Sequence, residues 1–386
     1  MRLRFTDEQQ ALAAELRAYF ATLMTPERRA ALESGDGDYG DGTSYREIVR
    51  QLGKDGWLAL GWPTEYGGQG RSALDQLVFL DEAALAGVPI PFLTLNTVGP
   101  TIMRHGTEAQ KRDLLPRIAG GEVHFAIGYS EPGAGTDLAS LRTKAVREGD
   151  EYVVNGQKMW TSLIGYADYI WLACRTDPDA ARHRGLSVLV VPTDAAGFSW
   201  TPVATMAGPT TSATYYDNVR VPVEARIGAE NSGWELITNQ LNHERVALTS
   251  AAPLRAALAA VHGWAAENGR LDAEWVRLHL ARVHAKAEVL RLMNARVAAS
   301  VETLTPAEAS ASKVYGTELA IEAYRLLMEV LGPAATIKTG SPGAALRGRI
   351  ERARRAALIL TFGGGTNEIQ RDIIAATGLR LPVGRR

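Results

Sequence analysis

The chain has 386 residues, of which 46% are hydrophobic, so it can bury a large core and form two or three domains. Its 42 basic and 43 acidic residues give a formal net charge of −1, which provides no basic field for nucleic acid or an anionic membrane. The amino terminus has no apolar signal core, and no stretch approaches the roughly 20 apolar residues that span a bilayer. The single cysteine, Cys174, lies in an apolar run and is interpreted as a core residue, so we expect a cytoplasmic protein without disulfides or a membrane segment.

Residues 1–122 are predicted to form a helical domain, because apolar residues recur at helical spacing between glycine-rich turns. Residues 123–230 are predicted to form a β-domain, because short β-rich runs are separated by Gly, Pro, Asp and Asn. These runs are LRTKAVRE, EYVVNGQKMW, DYIWLACRT, GLSVLVVPT and TYYDNVRVPV.

Residues 231–386 return to long helical patterns, of which one runs from Trp234 to Ala265 and the next from Glu274 to Ala299. About four such helices indicate a bundle. The order helices, strands, helices, without alternation, argues against a Rossmann sheet and predicts an α+β fold.

Three motifs stand out as candidates for binding or chemistry. The first is YSEPGAGTD, from Tyr129 to Asp137, whose glycines allow a tight turn with backbone N–H groups near a ligand. On these residues alone a plain surface turn is the favoured alternative.

The second motif is NGQKMWTS, where Asn155-Gly156 is typical of a hairpin turn and Trp160 precedes two hydroxyl residues. An indole can pack against a flat cofactor while a neighbouring hydroxyl bonds its polar edge. An ordinary core tryptophan explains Trp160 equally well, whereas Trp57, Trp62, Trp171 and Trp264 are interpreted as packing.

The third motif is FGGGTNEIQRDIIAA, in which Thr366 is a candidate N-cap and Ile369, Ile373 and Ile374 form an apolar stripe. A glycine loop at a helix start is a natural site for a phosphate or carbonyl oxygen. A flexible loop is the alternative.

At these motifs the sequence resembles the acyl-CoA dehydrogenase family along nearly its whole length. The resemblance implies the acyl-CoA dehydrogenase fold: an N-terminal helical domain, a central β-domain and a C-terminal four-helix bundle, with the FAD ring between the last two. The residues that it assigns to line the flavin or the nearby thioester are Ile127, Tyr129, Ser130, Gly135 and Thr136. It places Trp160 and Ser162 against the flavin ring, and Thr366 and Glu368 on the other side of the FAD.

The catalytic glutamate that many family members carry just before GTNEIQR is replaced here by Gly364. A minority of the family, including isovaleryl-type enzymes, place it earlier in a Leu-x-x-Glu-Arg context. LNHER matches that context, which makes Glu244 the predicted base and Arg245, with Gly364, a predicted substrate contact.

The local pattern supports Glu244 independently of the family, because it shares one helical face with Ile237, Leu241 and Leu248. A carboxylate on an apolar face is desolvated, so we expect its pKa to rise toward the range of a general base. A buried Glu–Arg pair without a catalytic role is the alternative.

Two segments through which a family member completes its neighbour's flavin site do not match. Arg-x-x-Phe-Gly-x-Pro is replaced by VHGWAAENGRLDAEW, and in place of Gln-x-x-Gly-Gly the chain has EVLGPAA, with Glu329 and Pro333. This combination resembles one subunit of the heterotetrameric acyl-CoA dehydrogenases of bacterial sterol side-chain degradation. It predicts a second acyl-CoA dehydrogenase-like chain as partner.

The resemblance implies α,β-dehydrogenation of an acyl-CoA thioester with a bulky or branched acyl group. Glu244 would take the α-proton, flavin N5 the β-hydride, and the backbone N–H of Gly364 would stabilise the thioester oxygen. Electrons would leave through an electron-transfer flavoprotein. Two alternatives stay open: a non-catalytic scaffold subunit, and a flavin monooxygenase of the same fold.

Overall fold

A computed structural model of the chain describes residues 5–33, 39–206, 210–238, 249–300 and 303–382. Within these ranges the secondary structure runs from helices to strands and back to helices, in the order predicted from the sequence.

Six helices precede the strands, and three of them begin at a capping box. The N-cap side chains of Thr6, Ser72 and Thr107 each accept a backbone N–H and are answered by the third helical residue. The fully buried rings of Phe20 and Phe79 pack together between the first and fourth helices. The helices are α1 (Asp7–Leu23), α2 (Pro26–Glu33), α3 (Thr43–Lys54), α4 (Ala73–Ala86), α5 (Gly99–His105) and α6 (Glu108–Ala119).

Eight strands form one mainly antiparallel sheet in the order β6-β7-β3-β2-β4-β5-β8, with β1 pairing in parallel with β4. Cys174 is fully buried in β4, as predicted, and Trp171 of the same strand is fully buried in the core that the sheet shares with the N-terminal helices. The strands are β1 (Phe125–Gly128), β2 (Lys144–Glu148), β3 (Glu151–Lys158), β4 (Tyr169–Arg175), β5 (Leu186–Pro192), β6 (Phe198–Ala204), β7 (Thr210–Pro222) and β8 (Arg226–Ile227).

The predicted hairpin turn at Asn155-Gly156 is wrong. Strand β3 continues through both residues, and the turn that joins it to β2 lies at residues 149–150. Gly156 instead occupies an irregularity in the β3–β7 pairing, where a Cβ atom would lie 2.6 Å from the Thr143 hydroxyl oxygen. The glycine therefore permits a close backbone approach inside a strand, which a sequence pattern cannot distinguish from a turn.

Strands β1 and β6 were not predicted. Strand β1 is four residues long and lies directly before the YSEPGAGTD motif. Strand β6 contains Pro202, which argues against a strand in isolation, but it pairs with β7 along its whole length.

The C-terminal half is a bundle of helices around a central one, α10. The helices are α7 (residues 233–238), α8 (Ala252–Glu267), α9 (Glu274–Ala299), α10 (Pro306–Leu331), α11 (Arg349–Ala357) and α12 (Asn367–Ile373). Helix α10 contacts α8, α9, α11 and α12, and the buried core between them includes Val283, Leu290 and Leu327.

The predicted uninterrupted helix from Trp234 to Ala265 is also wrong. Residues 249–251 are not helical, and α8 starts anew at Ala252 with Pro253 in its first turn. Proline is favoured at that position because its missing N–H has no helical partner to lose. Within the described part of the chain, no helix combines the length and apolarity that crossing a membrane requires.

Candidate active site

The loop from Tyr129 to Asp137 is held to the sheet by a buried ion pair. The carboxylate of Glu131 accepts hydrogen bonds from the Lys158 ammonium at 2.8 Å and from the backbone N–H groups of Arg142 and Thr143 at 2.7 and 2.8 Å. Lys158 also donates to the Tyr129 carbonyl oxygen at 3.0 Å. The side chains of Glu131 and Lys158 are 8% and 0% exposed, so water cannot replace these bonds.

Burial tends to raise the pKa of Glu131, but the Lys158 ammonium and the three hydrogen bonds outweigh it and hold that pKa below its usual range. The Glu131–Lys158 ion pair was not predicted from the sequence, although Glu131 lies in the first motif and Lys158 in the second. The available signal was Lys158 itself, which falls on the face of β3 that buries Tyr152 and Val154.

The same contacts bring the first two motifs side by side. The backbone N–H of Met159 donates to the Ser130 carbonyl oxygen at 2.8 Å, so the end of β3 runs along the start of the loop. Tyr129 accepts a hydrogen bond from the Trp171 indole at 3.1 Å. The predicted residues Ile127, Tyr129 and Ser130 are half-buried, whereas Gly135 and Thr136 are exposed at the tip of the loop.

Trp160 is not a core residue. Its side chain is 56% exposed, and its backbone has a φ of 68°, in the left-handed region that bulky residues rarely adopt. The neighbouring Thr161 is buried and donates its N–H to Ser212 at 2.9 Å, and the Ser162 hydroxyl lies 3.0 Å from that of Thr211. Strain of this kind costs of order 1–3 kcal/mol and concentrates at functional sites.

The third motif forms a glycine loop followed by a short helix, as predicted. Gly364 and Gly365 have φ values of 67° and 87°, and the Thr366 hydroxyl caps α12 by accepting the Ile369 N–H at 3.3 Å. The backbone N–H of Gly364 donates to no acceptor among the residues that the structure describes. Glu368 is exposed in the first turn of α12.

The predicted base Glu244 and its neighbour Arg245 lie outside the described residues, in the range 239–248. The residues on either side are firmly packed: Ile237 is fully buried, and Thr249 is 5% exposed with its carbonyl oxygen accepting the Asn294 amide at 2.7 Å. A Cβ atom on Gly316 of α10 would lie 2.5 Å from that of Thr249.

Ser250 is bonded at 2.7 Å to Asp81 of α4, which links this connection to the N-terminal helices. Burial raises the pKa of the Asp81 carboxyl, although the hydrogen bond from Ser250 opposes that shift.

Glu329, which stands where the family has glutamine, is engaged by two hydrogen-bond donors at the carboxyl end of α10. It accepts hydrogen bonds from His279 at 2.7 Å and Arg325 at 2.5 Å, and the bond from His279, with the charge of Arg325, holds its pKa below the usual range. A cavity of about 510 Å³ opens beside it. Its lining includes Met328, Glu329, Pro333, Arg354 and Leu358.

Three family models match the chain in succession. The N-terminal domain of acyl-CoA dehydrogenases matches residues 6–122, the middle domain matches 126–219 and the C-terminal domain matches 231–379. The chain therefore belongs to the acyl-CoA dehydrogenase family and is an oxidoreductase of that class. The α+β fold expected from the sequence, with its N-terminal helices, central sheet and C-terminal bundle, is confirmed.

Three individual relatives are similar to this chain over its full length. Acyl-CoA dehydrogenase FadE26 of Mycobacterium tuberculosis is 67% identical over 400 residues that cover all of both chains. A chain of the ChsE4-ChsE5 complex from the same organism is 66% identical over the full length of both, with a TM-score of 0.93. A chain of the Tcur3481-Tcur3483 steroid ACAD is 52% identical, again over both full lengths, with a TM-score of 0.94. The resemblance to a subunit of a heteromeric bacterial enzyme is thus confirmed.

Members of this family generally use FAD, and the described residues fit a flavin. The indole of Trp160 offers an exposed flat surface, with the Ser162 hydroxyl two residues away. A Cβ atom on Gly133 or Gly135 would meet nothing within 4 Å among the described residues, so the loop leaves open space beside it. The N–H of Gly364 has no acceptor in the described ranges and is free to donate to a ligand.

Proposed function

We propose that the chain catalyses FAD-dependent α,β-dehydrogenation of an acyl-CoA thioester, with Glu244 as the base that removes the α-proton. The exposed, strained indole of Trp160 carries this proposal, because a tryptophan that is neither core nor relaxed is best explained by a planar ligand packed against it. FAD, when bound, supplies a hydride acceptor at N5.

The remaining roles are those that the family resemblance assigns. Trp160 and Ser162 hold one side of the flavin, together with Ile127, Tyr129 and Ser130 at the end of β1. Gly135 and Thr136 at the loop tip bind the cofactor or the thioester, and Thr366 and Glu368 approach the flavin from α12. The N–H of Gly364 donates to the thioester oxygen as negative charge develops there, and Arg245 assists in binding the substrate.

The acyl group is proposed to be bulky, in the class of a steroid side chain. Support comes from the Tcur3481-Tcur3483 steroid ACAD, with which the chain shares 52% identity over its full length. The chain itself contributes Gly364, which leaves free the space that a loop glutamate fills in many family members.

The active species is proposed to contain a second, unlike acyl-CoA dehydrogenase-like chain, with one FAD per pair, and to pass electrons to an electron-transfer flavoprotein. Both solved relatives are complexes of two differently named chains. In this chain Glu329 is held by His279 and Arg325, and a carboxylate is a poor neighbour for the pyrophosphate of a second FAD.

The test is to purify a tagged copy of this chain, expressed with its natural partners, and to measure FAD per chain. The anaerobic complex is then titrated with the CoA thioester of a steroid side-chain acid, with octanoyl-CoA as the matched linear control. We expect one FAD per pair of unlike chains. We also expect the steroid thioester to bleach the visible flavin band at a lower concentration than octanoyl-CoA does.

The chain expressed alone is the second arm. Two or more missing charge-assisted contacts are expected to weaken FAD binding about a hundredfold or more, so the isolated chain is expected to be flavin-poor. A fully active homo-oligomer with one FAD per chain would refute the heteromer. A flavin in the complex that no acyl-CoA bleaches would instead favour a scaffold or monooxygenase.

A further inference from the structure

A fully buried lysine of α10, Lys313, holds the glycine loop from behind. Its ammonium donates to the Gly365 carbonyl oxygen at 2.9 Å and to the Asn367 side-chain oxygen at 2.8 Å. The Asn367 amide in turn donates to Thr317 and Glu318 of the same helix at 3.1 and 3.2 Å. Helix α10 is therefore hydrogen-bonded both to the glycine loop and to the first residue of α12.

A second buried side chain, Gln370 of α12, also holds the glycine loop by hydrogen bonds. Its amide donates to the carbonyl oxygens of Gly364 and Gly365 at 3.2 and 3.4 Å, and its own oxygen is buried without a hydrogen-bond partner in the described chain. Since peptide groups are planar, bonds to two successive carbonyls fix two successive peptide planes. The orientation of the Gly364 N–H, which has no described acceptor, then depends only on the torsions of Gly364.

We propose that Lys313 is a positioning residue for the dehydrogenation: it fixes the Gly365 peptide group, directly after Gly364, so that the Gly364 N–H meets the thioester oxygen. This inference rests on the proposed function. A donor stabilises developing charge most when it is aligned before the reaction. Burying an ammonium costs free energy that an apolar side chain would not, so a lysine here indicates that holding the loop matters more than packing α10.

The test compares the partner-bound holoenzyme with its Lys313→Met variant, which removes the donors and keeps the length of the side chain. A misplacement of about 1 Å can cost roughly a hundredfold, so we expect kcat to fall about 10- to 100-fold while KM and FAD content change less than about twofold. The second readout is the pH midpoint at which bound acetoacetyl-CoA ionises to its enolate, followed by the charge-transfer absorbance with the flavin. Weaker stabilisation of the enolate oxygen raises that midpoint by about one unit or more, since one unit is a tenfold change in equilibrium.

Lys286→Met is the matched control. Lys286 pairs with Glu322 between α9 and α10 in the same bundle, but its side chain is 40% exposed and lies away from the loop. We expect wild-type kcat and a wild-type enolate midpoint for this variant. If Lys313→Met does not yield folded protein, Gln370→Met removes the other donor and is expected to shift both readouts in the same direction by a smaller amount.

Wild-type kcat and midpoint in Lys313→Met, or in Gln370→Met if it replaces it, would overturn the inference. A loss of activity that follows FAD content alone, with an unchanged midpoint in the flavin that remains, would also overturn it and assign Lys313 to folding. Failure of the proposed function has a different signature, because the wild-type complex would then form no enolate band at all.

Discussion

Replacing Lys158 by methionine is expected to uncouple the loop of the first motif from the sheet. The variant leaves the Glu131 carboxylate buried with the backbone N–H groups of Arg142 and Thr143 as its donors among the described residues. Removing one partner of a buried ion pair costs about 3–5 kcal/mol, which for a chain of this size lowers the thermal midpoint by roughly 4–6 °C. Lys286→Met, which breaks a partly exposed pair, is expected to cost about 1 kcal/mol or less.

The dependence on pH gives the sharper test. In the wild type the pKa of Glu131 is lowered on folding, so its contribution to stability is present above the unfolded value of about 4.3 and is lost as pH falls toward the folded pKa. Without Lys158, we expect burial, the largest influence on this carboxyl, to raise its folded pKa above the unfolded value. The dependence of stability on pH then has the opposite sign. The protonated, neutral Glu131 is tolerated in the core at low pH, and stability is lost as pH rises through the folded pKa.

The assay is thermal unfolding of the purified complex between about pH 4.5 and 7.5, followed by the fluorescence of released flavin. We expect the deficit of Lys158→Met relative to the wild type to grow as pH rises, and the double variant Lys158→Met, Glu131→Gln to recover part of it at neutral pH. A deficit below about 1 kcal/mol, or one that does not vary with pH, would show that the pair does not hold the loop.

Two further variants test the proposed chemistry. Glu244→Gln is expected to keep its yellow flavin and lose several orders of magnitude in turnover, and more than about a tenth of the wild-type rate, a barrier change below roughly 1.4 kcal/mol, would contradict the assignment. Trp160→Ala removes an exposed side chain, so we expect little change in the stability of the flavin-free chain, within about 0.5 kcal/mol, but a shifted visible spectrum or weaker FAD binding; an unchanged spectrum with unchanged affinity would separate Trp160 from the cofactor.

Local sequence signals predicted what depends on neighbours along the chain. The apolar period of the segment from Glu274 to Ala299 gave both ends of α9, and Thr366 was recognised as the cap of α12. Both features depend on residues within a few positions of one another. Strand β6 was not predicted because its pairing with β7, a distant segment, outweighs the local preference of Pro202 against a strand.

Features that depend on distant contacts could not be predicted. Asn-Gly normally marks a hairpin, and only the approach of Thr143 shows that Gly156 lies inside a strand. Lysine is normally a surface residue, so residue type alone gives no reason to expect that Lys158 and Lys313 are buried and that each bonds an element of the candidate site. Their partners lie 27 and 52 or more residues away.

The close packing of Gly316 against Thr249 makes the geometry of the candidate base adjustable from a distance. Helix α10 comes near enough to Thr249 that no side chain fits between them, and Thr249 lies just past the segment that carries Glu244. Each added carbon at position 316 has to be accommodated by displacing that segment, α10, or both. Because α10 also carries Lys313, we expect a larger residue at position 316 to change the spacing between Thr249, just past the proposed base, and the glycine loop. Such a substitution is expected to alter turnover without changing any group that is proposed to touch the substrate.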